Sequence, residues 1–197
     1  MDQQNLIALP RIDKETDGAT GDLFRKTLNS SSTISRSIVI LPNPSTLKPP
    51  ATSATKPWLP LSTCSVFYTL DKGLCGFSNL CHGGIQATLI DDCAGALGVL
   101  NSRIQAGLIP ADPPGRWSPK INPGMVDLTK CMLATKEMTV QYLRPLRVPA
   151  NVQVIVTIGE ISDNGSYFVS TSIKGKDGKE YTRARAEWMV LGLKSKL

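Results

Sequence analysis

The sequence has a single histidine, His82, and it lacks the short motifs of several large enzyme classes. It contains no GxSxG elbow, no GxxxxGK[ST] or GxGxxG phosphate-binding loop and no HExxH. These absences argue against α/β-hydrolase, nucleotide-loop and zincin chemistry. One histidine cannot supply a multi-histidine metal site, and a Ser-His-Asp triad would have to use His82. We therefore expect neither a metal nor a cofactor.

Long apolar runs and closely spaced cysteine pairs are also missing. Nowhere do about 18 apolar residues follow one another, so no membrane span is predicted. The five cysteines form no CxxC pair, and residues 1–5 show no basic region followed by an apolar run. We interpret the cysteines as reduced thiols of a cytoplasmic protein.

The charge is moderately positive but scattered. The chain has 22 Lys+Arg against 16 Asp+Glu, a formal net charge of +6. This balance favours an anionic partner, yet no aromatic RNA-binding strand and no zinc-finger spacing accompany it. We expect no nucleic acid, and a phosphorylated small molecule fits the charge equally well.

Chain length and the distribution of proline predict one domain with an extension. The 197 residues are enough for a single domain with its own core. Residues 1–57 hold six of the fourteen prolines, and we interpret them as a partly irregular N-terminal extension before a domain at 58–197. Within the extension, 22–29 is compatible with two helical turns and 37–41 with a strand. The extension either packs across the domain or hangs free, and the sequence leaves both open.

The apolar pattern after residue 58 predicts one long helix beside an antiparallel sheet. A helix is predicted over 84–100, because its residues are apolar on nearly every side. Asp177-Gly178 predicts a hairpin turn between the last two strands. These elements predict an α+β fold. The predicted strands are 65–70, 129–143, 152–161, 166–175 and 180–191.

The turn at the start of that helix, His82-Gly83-Gly84, is the first candidate for chemistry. Free N–H groups at a helix start, with glycines that let a ligand approach the backbone, form an oxyanion or phosphate site. The alternative is that His82 caps the helix and the glycines only turn the chain. Asp91 and Asp92 lie on the same helix, where a carboxylate has to be paired, protonated or functional. Either of them could face a cleft and act as a base.

These residues resemble a known family, the hotdog-fold acyl thioesterases of the phenylacetate-pathway type. The segment NLCHGGIQATLID at 79–91 is similar to the family's loop, His-Gly-Gly motif and helix acid. The segment TVQYLRP at 139–145 looks like its second-strand signature. The resemblance covers about 58–193, with weaker similarity from 27–29 onward to fungal members that have an N-terminal extension. It implies a hotdog fold, in which an antiparallel sheet wraps around one long central helix.

The resemblance also implies roles for individual residues. The Gly83 N–H would polarise the thioester carbonyl, Asp91 would act as base or nucleophile, and the Thr135 hydroxyl would orient water. Asn79 matches a loop position where some members place an asparagine. The remaining candidates for substrate binding, including the phosphates of a nucleotide or carrier, are His82, Gly84, Arg144, Lys174, Lys176 and Arg183, with Arg147 and Arg185 as further basic candidates.

The spacing along the helix adds an independent constraint. Nine residues at about 1.5 Å each place Asp91 about 13 Å from His82 along the axis, beyond the reach of one carboxylate. One chain therefore cannot easily complete the site, whereas a two-fold dimer can bring Gly83 of one subunit against Asp91 of the other. We expect a homodimer or a dimer of dimers.

The predicted activity is hydrolysis of an acyl-CoA or acyl-carrier-protein thioester. One alternative is a hotdog hydratase or dehydratase, which also uses a histidine and an acid. Another is a non-catalytic protein that binds acyl-CoA without turning it over. The sequence does not distinguish the acyl chain, the carrier, or primary from secondary metabolism.

Overall fold

The computed structural model describes residues 5–10, 23–51, 53, 55–109, 113–163 and 165–192. Its main element is a seven-stranded antiparallel sheet packed against one long helix, α1 (Gly83–Gln105). The strands are β1 (Leu6–Pro10), β2 (Ile34–Pro42), β3 (Thr63–Leu70), β4 (Cys75–Phe77), β5 (Leu80–Cys81), β6 (Met132–Tyr142), β7 (Ala150–Ile161), β8 (Tyr167–Gly175) and β9 (Glu180–Leu191). The order in the large sheet is β1-β2-β3-β7-β8-β9-β6, and β4 and β5 form a separate hairpin.

The predicted α+β fold and its strands are confirmed, with small shifts at their ends. Along β9 the alternation holds as expected: Thr182, Ala184 and Ala186 are buried, while Arg183 and Arg185 are exposed. The turn between β8 and β9 contains Gly178, whose φ of +75° is the left-handed conformation that glycine adopts without strain.

The helix is longer than predicted, because two polar side chains in its last turns are buried and bonded to loops. Asn101 accepts a hydrogen bond from the Leu61 N–H at 2.8 Å and donates to the Leu61 carbonyl at 2.9 Å. Gln105 accepts from the Leu128 N–H at 2.7 Å and donates to the Val126 carbonyl at 2.8 Å. These bonds satisfy the loop backbone on both sides of the helix and extend α1 to Gln105.

The core lies between α1 and the inner face of the sheet. Leu89, Ile90, Cys93 and Leu97 of the helix are fully or almost fully buried there. Gly98 permits close contact with the sheet, since a Cβ at this position would come within 2.2 Å of the Leu133 side chain. The helix therefore packs closely against the sheet at Gly98, and a larger residue there would clash with Leu133.

The segment before residue 58 contributes to this same sheet. The strand predicted at 37–41 is present as part of β2, which pairs antiparallel with β3, and β1 pairs with β2. Ile34, Val39 and Leu41 of β2 are buried in the core. A short π-helical turn, Leu23–Thr27, stands within the segment where two helical turns were expected. The sheet thus continues across the predicted boundary at 57.

Within the described ranges, no helix combines the length and apolar character needed to cross a membrane.

Candidate active site

The glycine turn is held in place by backbone bonds from two sides. The hairpin of β4 and β5 ends at Cys81, whose N–H donates to the Leu146 carbonyl at 2.9 Å. The next N–H, that of His82, donates to the Leu74 carbonyl at 2.8 Å. The start of α1 is therefore fixed against two neighbouring loops.

His82 is the N-cap of α1. Its ring Nδ1 accepts a hydrogen bond from the Gly84 N–H at 2.9 Å. The capping role raised as the alternative is therefore present in the structure. The Gly84 N–H, expected to face a ligand, is satisfied by His82 instead.

Gly83 presents the free donor of the turn. Its N–H is at the first helical position, where no intrahelical acceptor exists, and it makes no hydrogen bond to any of the described residues. Its carbonyl accepts a hydrogen bond from the Tyr142 hydroxyl at 2.9 Å. A Cβ at Gly83 would lie 3.3 Å from the Tyr142 ring, so a side chain here would crowd the turn. The positive end of the helix dipole lies at the same place and favours an anion.

A cavity of about 450 Å³ opens beside this turn. The residues of the turn, several aromatic and apolar residues, and Arg144 line it. Asp91 and Thr135 are not among the described residues that line it. The lining residues are Gly76, Phe77, Leu80, Cys81, His82, Gly83, Gln86, Tyr142, Leu143, Arg144, Pro145 and Leu146.

Asp91 and Thr135, to which the resemblance gave separate roles, lie in direct contact, and the hydroxyl that was expected to orient water bonds to the carboxylate instead. The Thr135 hydroxyl on β6 donates to Asp91 Oδ1 at 2.6 Å. Asp91 is partly exposed on the helix, and Thr135 is exposed on the sheet edge. Among the described residues, one hydroxyl bonds to this carboxylate, at Oδ1, and Asp91 is partly accessible to solvent.

Asp92 has a different environment from its neighbour. The hydroxyl of Tyr68, a residue that is 1% exposed, donates to Asp92 Oδ2 at 2.7 Å. Asp92 is therefore a paired carboxylate that satisfies a buried tyrosine on β3. Of the two adjacent acids, Asp91 is the one that accepts a hydrogen bond from the edge strand β6.

Asn79 lies at the tip of the β4–β5 hairpin, between the paired residues Phe77 and Leu80. Its φ of +59° is a left-handed conformation, which asparagine tolerates better than most residues. Its carbonyl accepts from the Val148 N–H at 3.1 Å. An asparagine suits this position because the turn requires a left-handed residue. Asn79 is not among the residues that line the cavity.

The predicted basic residues are not gathered in one place. Arg144 lines the cavity and donates to the Glu180 carbonyl at 2.6 Å. Arg183 lies on the outer face of the sheet, bonded to Gln141 at 2.8 Å, and lines a different groove. Lys174 is on β8 and Lys176 is in the exposed β8–β9 turn. Of the four, only Arg144 is brought to the cavity beside Gly83.

Two residues of the site were not assigned a role from the sequence. Tyr142 was noted only within the segment 139–145, and Gln86 only within the segment 79–91. Gln86 is buried, donates to the Cys81 carbonyl at 3.2 Å and accepts a hydrogen bond from the Thr182 hydroxyl. The available signal was a glutamine two residues after Gly84 on a helix that is otherwise apolar, because a polar group that becomes buried there needs partners.

The cysteine next to the turn is poorly suited to nucleophilic chemistry. Burial, with a smaller effect of Cys75, raises the pKa of the Cys81 thiol to about 11. At neutral pH it is therefore protonated, and the thiolate is the nucleophilic form.

The long helix packed against an antiparallel sheet, with His82-Gly83-Gly84 at its start, defines a hotdog fold, as predicted from the sequence. One curated relative, verlamelin biosynthesis protein B from Lecanicillium sp, is 48% identical over 189 residues, covering 94% of this chain and 80% of the relative. The chain belongs to the same family as that protein. No family model matches the chain.

Solved structures of similar fold share little sequence with this chain. A mutant thioesterase from Pseudomonas aeruginosa is 17% identical with a TM-score of 0.49, over 66% of this chain and 75% of that one. A hypothetical thioesterase protein from Streptococcus pneumoniae TIGR4, with coenzyme A, is 13% identical with a TM-score of 0.49, over 68% and 82%. The E. coli PaaI protein from the phenylacetic acid degradation operon is 13% identical with a TM-score of 0.46, over 66% and 73%.

Proposed function

We propose that this protein is a thioesterase that hydrolyses an acyl-CoA or acyl-carrier-protein thioester to a free acid and a thiol. The observation that supports the proposal is that one strand, β6, contacts both the candidate base and the candidate oxyanion donor. Thr135 of β6 bonds to Asp91, and Tyr142 of β6 bonds to Gly83, whose N–H is free. A base and an oxyanion donor are the two groups that thioester hydrolysis needs.

In the proposed mechanism Asp91 activates water. Thr135 occupies Oδ1, which leaves Oδ2 to take a proton from the attacking water. The hydroxide adds to the thioester carbonyl, and the negative charge on its oxygen is stabilised by the Gly83 N–H and the helix dipole. The C–S bond then breaks, and the thiolate leaves with the proton that Asp91 took. Direct attack by Asp91, followed by hydrolysis of the anhydride, remains the alternative.

The two halves lie in different parts of one chain, and a dimer would unite them. Gly83 and Asp91 are eight residues apart on one straight helix, about 12 Å along its axis. Their contacts on β6, Tyr142 and Thr135, are likewise at opposite ends of the strand. Because β6 is the last strand of the sheet, one of its edges has no strand partner among the described residues.

We propose that two β6 edges pair antiparallel about a two-fold axis. In that arrangement the Tyr142 end of one strand approaches the Thr135 end of the other, since the two strands run in opposite directions. The partner subunit's Gly83 would then face Asp91, and each dimer would have two composite sites. Dimers could pair further into a dimer of dimers.

The cavity beside Gly83 is the proposed entry for the carrier arm of the substrate. Arg144 at its edge is suited to a phosphate of coenzyme A or of a carrier-protein arm. Lys174, Lys176 and Arg183, which lie away from this cavity, would contribute only to the surrounding positive field. We place the protein in the cytoplasm, in keeping with five cysteines that are all free. The name of the relative supports a biosynthetic setting for the thioester.

The test is incubation of the purified protein with a panel of acyl-CoAs and acyl-carrier proteins of different chain lengths. Release of free thiol is followed with a chromogenic disulfide, and enoyl absorbance is followed in parallel. Thiol release supports the proposal. Enoyl formation or loss without thiol release would instead indicate a hydratase or dehydratase, and binding without either signal would indicate a non-catalytic acyl-CoA-binding protein.

A further inference from the structure

The peptide group between Gly83 and Gly84 is held at both of its polar atoms. Its carbonyl oxygen accepts from the Tyr142 hydroxyl at 2.9 Å, and its N–H donates to His82 Nδ1 at 2.9 Å. Two consecutive glycines have the greatest backbone freedom of any dipeptide, and they form the first turn of the helix. The two side chains therefore restrict a segment that would otherwise fray.

The bond from Tyr142 is not required to satisfy the Gly83 carbonyl. In an α-helix that begins at Gly83, this oxygen already accepts from the N–H four residues later. Tyr142 is a second donor to an acceptor that has a partner. In the single chain Tyr142 is 53% exposed, so burial alone does not fix its hydroxyl at this carbonyl. Because the carbonyl does not need this second hydrogen bond, we interpret the bond as one that fixes the orientation of the Gly83 peptide.

We propose that Tyr142 is a positioning residue for the oxyanion donor, acting through the Gly83 peptide. The inference rests on the proposed function, since Gly83 N–H is the proposed donor to the thioester oxygen. Holding the Gly83 carbonyl and packing the ring against Gly83 fix the backbone dihedrals of this residue, and with them the direction of its N–H. A preorganised donor stabilises the developing negative charge without reorganising during the reaction.

The consequence is that β6 orients both halves of the chemistry. Thr135 near its beginning orients the base, and Tyr142 at its end orients the oxyanion donor. A shift of this strand would disturb both groups together.

The experiment compares Tyr142→Phe with wild type, and uses Tyr181→Phe as a matched control on the neighbouring strand. Tyr142→Phe keeps the ring against Gly83 and removes only the hydroxyl. We expect kcat to fall at least about tenfold with KM changed less than about twofold, because the bond acts on the transition state. Tyr181→Phe should change kcat by less than twofold. Replacing Tyr142 by 3-fluorotyrosine, which keeps the hydroxyl, should give a kcat near the wild-type value, and a tenfold loss in this variant would contradict a role of the hydroxyl.

A second readout does not depend on activity. Hydrogen exchange of the Gly84 amide, measured by NMR in the full chain, should be faster in Tyr142→Phe than in wild type or Tyr181→Phe. A kcat of Tyr142→Phe within twofold of an active wild type would overturn the inference and leave the proposed function standing. If wild type hydrolyses no thioester, the proposed function fails, and the exchange rate alone decides: unchanged Gly84 exchange then overturns the positioning role of Tyr142.

Discussion

Thr135 Oγ1 on the edge strand lies 2.6 Å from Asp91 Oδ1 on the central helix and donates a hydrogen bond to it. The two residues are 44 positions apart in the sequence, and the contact joins the base proposed for hydrolysis to the strand proposed to form the dimer. Asp92, one residue further on, bonds to Tyr68 on a different strand. Successive residues of a helix are rotated by about 100°, and the two adjacent carboxylates therefore face different strands and have different partners.

If the Thr135 hydroxyl orients Asp91, variants with and without this hydroxyl should differ in kcat. Thr135→Val keeps the shape of the side chain and removes the donor, so Asp91 loses its orientation, and we expect kcat to fall roughly tenfold with KM little changed. Thr135→Ser keeps the hydroxyl and should retain most of the activity. Steady-state kinetics with one acyl-CoA measures both. Equal losses in the valine and serine variants would contradict an orienting role for the hydroxyl.

The composite site predicts complementation between two inactive variants. Gly83→Pro deletes the N–H at the first helical position, where the φ of proline fits the helix but its ring has to displace the Tyr142 side chain, and Asp91→Asn removes the base. A mixed dimer of these variants contains one intact site, so activity should return after subunit exchange, up to about one quarter of the wild-type value per total protein when exchange is random. Light scattering of wild type should give at least a dimer.

The control for that experiment is proof of exchange, by mass spectrometry of differently tagged subunits. Mixed dimers that form and stay inactive would mean that each site lies within one subunit.

Substitutions on the two faces of strand β2 should differ in their effect on the free energy of unfolding. Leu41 is 0% exposed, whereas Ile38 on the same strand is 45% exposed. Leu41→Ala should lower the free energy of unfolding by about 2 to 5 kcal/mol, while Ile38→Ala should lower it by less than about 1 kcal/mol. Urea denaturation of the two variants gives the comparison.

Deletion of residues 1–57 tests the same segment as a whole. The deletion would expose the edge of β3, so aggregation, a lower melting temperature or a changed acyl-chain preference is expected. A truncated protein with unchanged melting temperature, oligomeric state and chain-length profile would show that the segment is only a tether.

Local patterns in the sequence were enough to predict most of the helices and strands. The strand alternation of β9, the apolar helix and the glycine turn each depend on residues close together in the chain, and each is where it was expected. The N-cap role of His82 was also available as an alternative, because it needs only the next two residues.

The pairings that could not be predicted join distant parts of the chain. Nothing near Asp92 indicates that Tyr68, 24 residues earlier, would donate to it. Alternation placed Arg183 on the exposed face of β9, but it did not show that Arg183 and Gly83 line two different cavities. The end of α1 at Gln105 likewise depends on loop backbone supplied by Leu128 and Val126, 21 to 23 positions away.

The most direct test of the proposed function is the release of free thiol from acyl-CoA by wild type, Asp91→Asn and Asp92→Asn, measured side by side with equal amounts of folded protein. Wild type should turn over, Asp91→Asn should lose at least about 100-fold in kcat with KM little changed, and Asp92→Asn, which keeps an acceptor for Tyr68, should lose far less. Equal losses in the two variants, or a larger loss in Asp92→Asn, would contradict the assignment of Asp91 as the catalytic base.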